Sequence, residues 1–236
     1  MKRIVILGIM GLMATGLCAT AADLKSQVTK AVQQVGDKAN YSWATSAKES
    51  DGRAGPLGVV EGQAEKGGVT GLNFSVSGIP VQVFMKGDKG TAKVFEGWQT
   101  FDEVAATGGS AEAVIRYLRA YKAPVAECTS LVGSAKELKE ADGAVTGELQ
   151  ETAVKELLMA GARRREGQEP PKTADAKGSV KFWIKDGALT KFEVTIQGKV
   201  TSGERENVVN RTTTVEIKNV GATKMDVPAD AKAKMT

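Results

Sequence analysis

The sequence contains no histidine among its 236 residues, and this absence excludes several kinds of site. Ser-His-Asp and Cys-His catalysis both need an imidazole as the base. Histidine is also the commonest protein ligand for zinc and copper. The chain has neither the acidic spacing of a calcium loop nor a glycine-rich phosphate loop. We therefore expect no catalytic residue, no metal and no cofactor.

Cysteine is almost as rare, with Cys18 and Cys128 as the two examples. Cys18 follows Leu17, where a lipoprotein signal needs a small residue, so we do not expect a lipid anchor there. If the N-terminal segment is removed, Cys128 is left alone and cannot form an internal disulfide. We expect it to be a buried, weakly polar core residue.

A basic start precedes an apolar run over residues 4–17, which is shorter than the roughly 20 residues of a membrane-spanning helix. The small residues Ala19 and Ala21 then form the pattern that signal peptidase accepts. This arrangement predicts a cleaved signal peptide over 1–21 and a single domain over 22–236, in the periplasm or secreted. The alternative is an N-terminal anchor that is never cut.

The charge of the chain is nearly balanced. The 32 lysines and arginines face 28 acidic residues, and removing the two basic residues of the signal peptide leaves 30 against 28, a net charge of +2. Nucleic-acid binding is not expected from such a balance. We expect a monomer, and a partner protein in the cell envelope is left open.

Most of the chain alternates between apolar and polar residues, as half-buried strands do. Nine strands are predicted, over 41–48, 58–66, 70–77, 81–85, 91–96, 144–149, 178–185, 189–201 and 207–219. Helical spacing predicts helices over 22–38, 110–122, 126–141 and 151–164, and the aperiodic segment 166–177 is predicted as a mobile surface loop.

Every long strand is apolar on one face, and an antiparallel sheet must cover such a face. A strongly twisted sheet of about nine strands tends to curl. The predicted fold class is therefore α+β, with a strongly curved antiparallel sheet, an incomplete β-barrel, whose concave face is covered by helices.

Two C-terminal motifs carry a family resemblance. The sequence WIKDG over 183–187, followed by LTK over 189–191, is similar to the last hairpin of periplasmic lipoprotein-carrier domains. The segments 215–217 and 227–231 resemble their last strand and closing valine-proline segment. The chain thus resembles the half-barrel superfamily of LolA, LolB and LppX-type proteins. The resemblance implies a non-enzymatic transport or binding domain that holds acyl chains between the sheet and its lid helices.

On this basis we predict the residues that line a cavity for a lipid or another hydrophobic ligand. They are Leu72, Phe74, Val76, Val83, Met85, Val114, Ile115, Leu118, Leu157, Leu158, Phe182, Ile184, Phe192, Val194 and Ile196.

Two other interpretations stay open at this point. A filled core would make the chain a structural or protein-interaction module, with Trp43 or Trp98 as an interface anchor if either is exposed. A glycosidase-like hydrolase would use carboxylates such as Glu61, Glu96 and Glu193, although these lie on strand faces that otherwise resemble solvated surfaces.

Overall fold

The computed structural model describes residues 20–76, 78–94, 97–160 and 169–235. The predicted signal peptide falls almost entirely on residues 1–19, outside this part. Thr20 and Ala21, assigned to its end, are the N-cap and the first residue of a helix. Within the described residues no helix combines the length and the hydropathy needed to cross a membrane.

The described residues form eleven strands in one antiparallel sheet. The strands are β1 Asn40–Glu49, β2 Ala54–Glu65, β3 Val69–Val76, β4 Ile79–Lys86, β5 Lys89–Val94, β6 Gly97–Thr100, β7 Ala135–Ala141, β8 Ala144–Leu149, β9 Lys172–Lys185, β10 Ala188–Ser202 and β11 Arg205–Lys218.

The sheet consists of two meanders, β1 to β6 and β7 to β11, joined by pairing between β1 and β11. Its order is β6-β5-β4-β3-β2-β1-β11-β10-β9-β8-β7, so β1 is the central strand and the sheet is open at β6 and β7. Trp43 of β1 lies opposite Ile217 of β11, and this register continues without a shift to the pair Glu49 and Arg211.

Six helices complete the described chain. They are α1 Ala21–Gly36, α2 Phe101–Ala106, α3 Gly109–Arg119, α4 Pro124–Ser134, α5 Glu151–Met159 and α6 Ala229–Lys234. Buried residues of α1 to α5 belong to one apolar cluster with one face of the sheet, which we call the inner face. Helix α6 packs on the other face, where Ala231 and Val227 meet Phe84. The predicted fold class, an open half-barrel with helices over its concave face, is confirmed.

The predicted helix over 126–141 is wrong in its second half, because α4 ends at Ser134 and strand β7 follows. The sequence AKELKEA has the composition of a helix surface, but it pairs with β8 at the edge of the sheet. Charged residues are common on edge strands because they discourage pairing with other chains. Glu137 adopts a φ of 44°, which breaks the alternation that would have marked a strand.

The predicted loop over 166–177 is also wrong in part. Residues from Lys172 onward belong to β9, and Lys172 pairs with Thr201 of β10. A register shift opposite Gln197 and Lys199, together with a φ of 56° at Asp175, hides the period of two in this segment. Residues 166–168 lie outside the described part of the chain.

A half-open trough at the centre of the sheet as candidate functional site

The fifteen residues predicted to line a cavity all lie in the single core cluster of the inner face. Eleven are buried, and Val76, Val114, Leu157 and Ile184 are half-buried. The structure therefore brings the strand set and the helix set together. Their contact with a ligand stays a prediction, because the same burial is expected of an ordinary core.

The exposed fraction of the inner-face side chains of β11 rises from Ile217 and Val215 towards Val209. Val215 and Ile217 are 0% and 8% exposed. Val209, Arg211 and Thr213 share their face, because side chains alternate along a strand and β11 has no register shift, yet these three are only half-buried.

The neighbouring strand β1 changes in the same way. Tyr41 and Trp43 are buried, whereas Thr45, Ala47 and Glu49 on the same face are half-buried. Ala47 lies opposite Thr213 and Glu49 opposite Arg211, so the partly open halves of the two strands lie side by side.

One inner-face neighbour on each flank of this region is buried. On β10, Ile196 pairs with Arg211 and is 3% exposed. On β2, Val60 pairs with Thr45 and is 5% exposed. The middle of a sheet is expected to be the most buried part of a filled core, and here it is less buried than its sides. We call this region the central trough, formed by the inner-face residues Thr45, Ala47, Glu49, Val209, Arg211 and Thr213.

The covering helices explain why the trough is open. Helix α5 packs closely over β9 and β10, where a Cβ added to Gly198 would lie 2.6 Å from Leu158 Cδ1. On the other side Phe101 of α2 packs over Gly90 in the same manner, at 2.3 Å from such a Cβ. Between them, α3 lies against α2, and its backbone approaches described strands only at isolated positions. The close helix contacts at Gly198 and Gly90 thus lie beside the trough residues and not on them.

The α3 side of the trough carries aromatic and hydroxyl groups. Trp43 Nε1 donates a hydrogen bond of 3.0 Å to the Tyr121 hydroxyl, and the Tyr117 and Tyr121 rings are 6.2 Å apart. Burial raises the pKa of both tyrosines, so the hydroxyls are neutral. For Tyr117 the nearby charge of Glu127 adds to this rise in pKa, and the charge of Arg211 opposes it.

Glu127 of α4 is the perturbed carboxyl in this group. Burial raises its pKa to about 7 from an ordinary value of 4.5, and Lys122 partly offsets the rise. The folded protein thus holds a proton on Glu127 between these two pH values, where the unfolded chain does not. Stability therefore falls as pH rises through this range.

Replacing Glu127 with glutamine is expected to stabilise the protein by about 2 kcal/mol above pH 7, because the neutral amide avoids a desolvated charge. The two proteins should converge in stability near pH 4.5. Urea unfolding at several pH values measures this effect. The matched control is E156Q on the exposed side of α5, and an E127Q benefit that does not vary with pH would contradict the argument.

The other candidate groups show no catalytic arrangement. Glu61 is exposed, Glu193 is half-exposed near the Thr214 hydroxyl, and Glu96 lies outside the described residues. Among described residues no cluster of three acidic, cysteine or histidine side chains is placed to hold a metal.

Cys128 is fully buried, as predicted, and burial raises the pKa of its thiol.

The tryptophans are not exposed interface anchors. Trp43 is 2% exposed, and Trp98 is half-buried against Phe84, with ring centroids 5.5 Å apart.

A separate recess of about 300 Å³ lies at the far end of β9 and β10, between Pro170 and Thr201. It shares no residue with the central trough.

Sequence reasoning missed most of the trough. The alternation of β11 places Arg211 and Thr213 on the face of Val209 and Val215, and that signal was available. The partial exposure of Arg211 and Thr213 could not be predicted from the sequence, because it depends on where α3 and α5 lie.

Neither a protein-family profile nor a curated protein matches the sequence. Three solved structures are similar over most of the chain. LprF from Mycobacterium bovis is 10% identical, with a TM-score of 0.49 and coverage of 90% of this chain and 99% of that one. The lipoprotein LppX from Mycobacterium tuberculosis is 11% identical, with a TM-score of 0.47 and coverage of 88% and 100%. A LolA superfamily protein from Nitrosomonas europaea is 11% identical, with a TM-score of 0.34 and coverage of 92% and 98%.

Proposed function

We propose that this protein is an exported, non-enzymatic binding protein that holds the apolar part of a lipid or another hydrophobic ligand in the central trough. The observation that carries the proposal is the partial exposure of the inner face at the middle strands, between buried flanks. Ligand sites are typically concave and mostly apolar, with a few polar groups. Within the trough Ala47 and Val209 are apolar and the other four residues are polar or charged, and the buried Val60 and Ile196 add apolar surface at its borders.

Helix α3 is the element that makes room for a ligand. Its Ile115 and Leu118 are buried, but its backbone lies against α2 rather than against a strand. Moving α3 outward therefore breaks side-chain contacts without breaking a sheet. Burying an acyl chain contributes about 0.8 kcal/mol per methylene, so a chain of about 16 carbons gains roughly 12 kcal/mol before the cost of association. This gain offsets the loss of α3 side-chain contacts and the cost of association in the same direction for every added methylene.

A blocking substitution tests the site. We expect A47W to fill the trough and to weaken binding of a fluorescent fatty acid to delipidated protein by at least about tenfold. Ala47 is half-buried on the inner face, so the indole lies where the acyl chain is proposed to lie. The matched control is S46W, which places the same side chain on the outer face of the same strand.

Native mass spectrometry of the protein purified from its own cell envelope provides an independent measurement. A bound lipid and a loss of that lipid in A47W support the proposal. Wild-type protein without any lipid, together with no uptake of the fluorescent fatty acid, contradicts it and favours an interaction module with a filled core.

A further inference from the structure

Arg211 is a half-buried charged residue of the inner face, and its neighbours there are apolar side chains, hydroxyl groups and one carboxylate. On β11 it lies between Val209 and Thr213, with Val215 beyond, and on β10 its partner is the buried Ile196. Strand β11 continues past Arg211 beside β10, with the pairs of Val209 with Gly198 and of Asn207 with Val200, whereas its pairing with β1 ends at Arg211 and Glu49. A half-buried guanidinium in such surroundings loses part of its hydration, and this cost is offset only by a partner of opposite charge.

The described part of the protein supplies Arg211 with no such partner at contact distance. Glu49 lies directly opposite on β1, but the ion pairs between described residues, at distances up to 4.0 Å, do not include Arg211. Its charge lowers the pKa of the Tyr117 phenol, against the larger rise caused by desolvation. Thr213 and Thr45 add hydroxyl groups on the same inner face of the sheet.

This inference rests on the proposed function and narrows its ligand. We infer that the amphiphile held in the central trough carries an anionic head group, a carboxylate or a phosphate, which pairs with Arg211. A guanidinium presents five donors in a planar fork that matches two oxygens of either group. The hydroxyl of Thr213, two residues along β11 on the same face, provides a further donor. Apolar side chains on both sides of Arg211 along the strands accommodate the tail.

Two charge changes of opposite sign test the inference. Binding of dodecanoic acid, dodecyl phosphate and dodecanol is measured by displacement of a neutral fluorescent probe. The measurement is made at about pH 6, below the pKa of Glu127 near 7, so that this side chain is neutral. We expect R211Q to weaken binding of the charged ligands by about tenfold or more and to leave dodecanol unchanged. We expect E49Q to strengthen binding of the charged ligands, because it removes a carboxylate opposite Arg211 that repels an anionic head group.

The control is R205Q, an exposed arginine at the start of the same strand. The carboxylate and phosphate arms show which head group is preferred. Equal binding of charged and neutral ligands to the wild type, or an equal loss of both in R211Q, overturns the inference while the proposed function stands. Binding of none of the three overturns the proposed function and this inference with it.

Discussion

Replacing Phe182 with alanine is expected to lower the free energy of unfolding by about 3–5 kcal/mol, the cost of deleting a fully buried phenyl ring. Phe182 is 0% exposed. It lies on β9 between Phe192 of β10 and Val145 of β8, its partners in the antiparallel register. The main chain of three paired strands holds these neighbours in place, so the space left by the ring cannot collapse.

Urea or guanidinium unfolding of F182A measures this loss. The matched control is I184A on the same face of the same strand, where the side chain is half-buried and the expected loss is smaller. A loss below about 1 kcal/mol in F182A would show that the core around β9 is loosely packed. Such a small loss would also weaken the argument for the central trough, which rests on tighter packing at β9 and β10 than at β1 and β11.

The second large effect is expected at Gly62. Replacing it with alanine is expected to cost about 3 kcal/mol, the upper end of the usual range for overpacking. Gly62 lies directly opposite Trp43, and a Cβ built on it would be 2.1 Å from the indole atoms Cε2 and Cζ2. The indole cannot move aside freely, because it is 2% exposed and donates its hydrogen bond to Tyr121.

A double-mutant cycle separates this contact from a general effect of alanine in a strand. W43L removes the indole, so adding G62A to it is expected to cost much less than G62A alone. The control G67A lies in the turn between β2 and β3, where the space around the added Cβ is open, and is expected to be nearly neutral. Additive costs in the cycle would mean that the indole does not determine the effect.

Much of the sheet follows from local patterns. The strand over 41–48 and the helix over 22–38 were predicted within a few residues, because their burial repeats at the period of their own secondary structure. The strand over 178–185 was predicted correctly at its C-terminal end, whereas its first six residues were predicted as loop. Helices α2 and α6 and strand β6 were not predicted, since each is short and takes its form from its neighbours. The edge strand β7 was predicted as helix because its local composition favours helix and only pairing with β8 favours strand.

The alternation of apolar and polar residues by itself determined which side chains of the long strands face inward, and hence that helices had to cover one side of an antiparallel sheet. It could not determine which inward positions remain partly open to solvent. That was decided by tertiary structure: β1 and β11, the two ends of separate meanders, pair at the centre of the sheet, and α3 and α5 close on either side of them. Exposure at Ala47 and Arg211 depends on helices that are distant in sequence, and no local pattern encodes their positions.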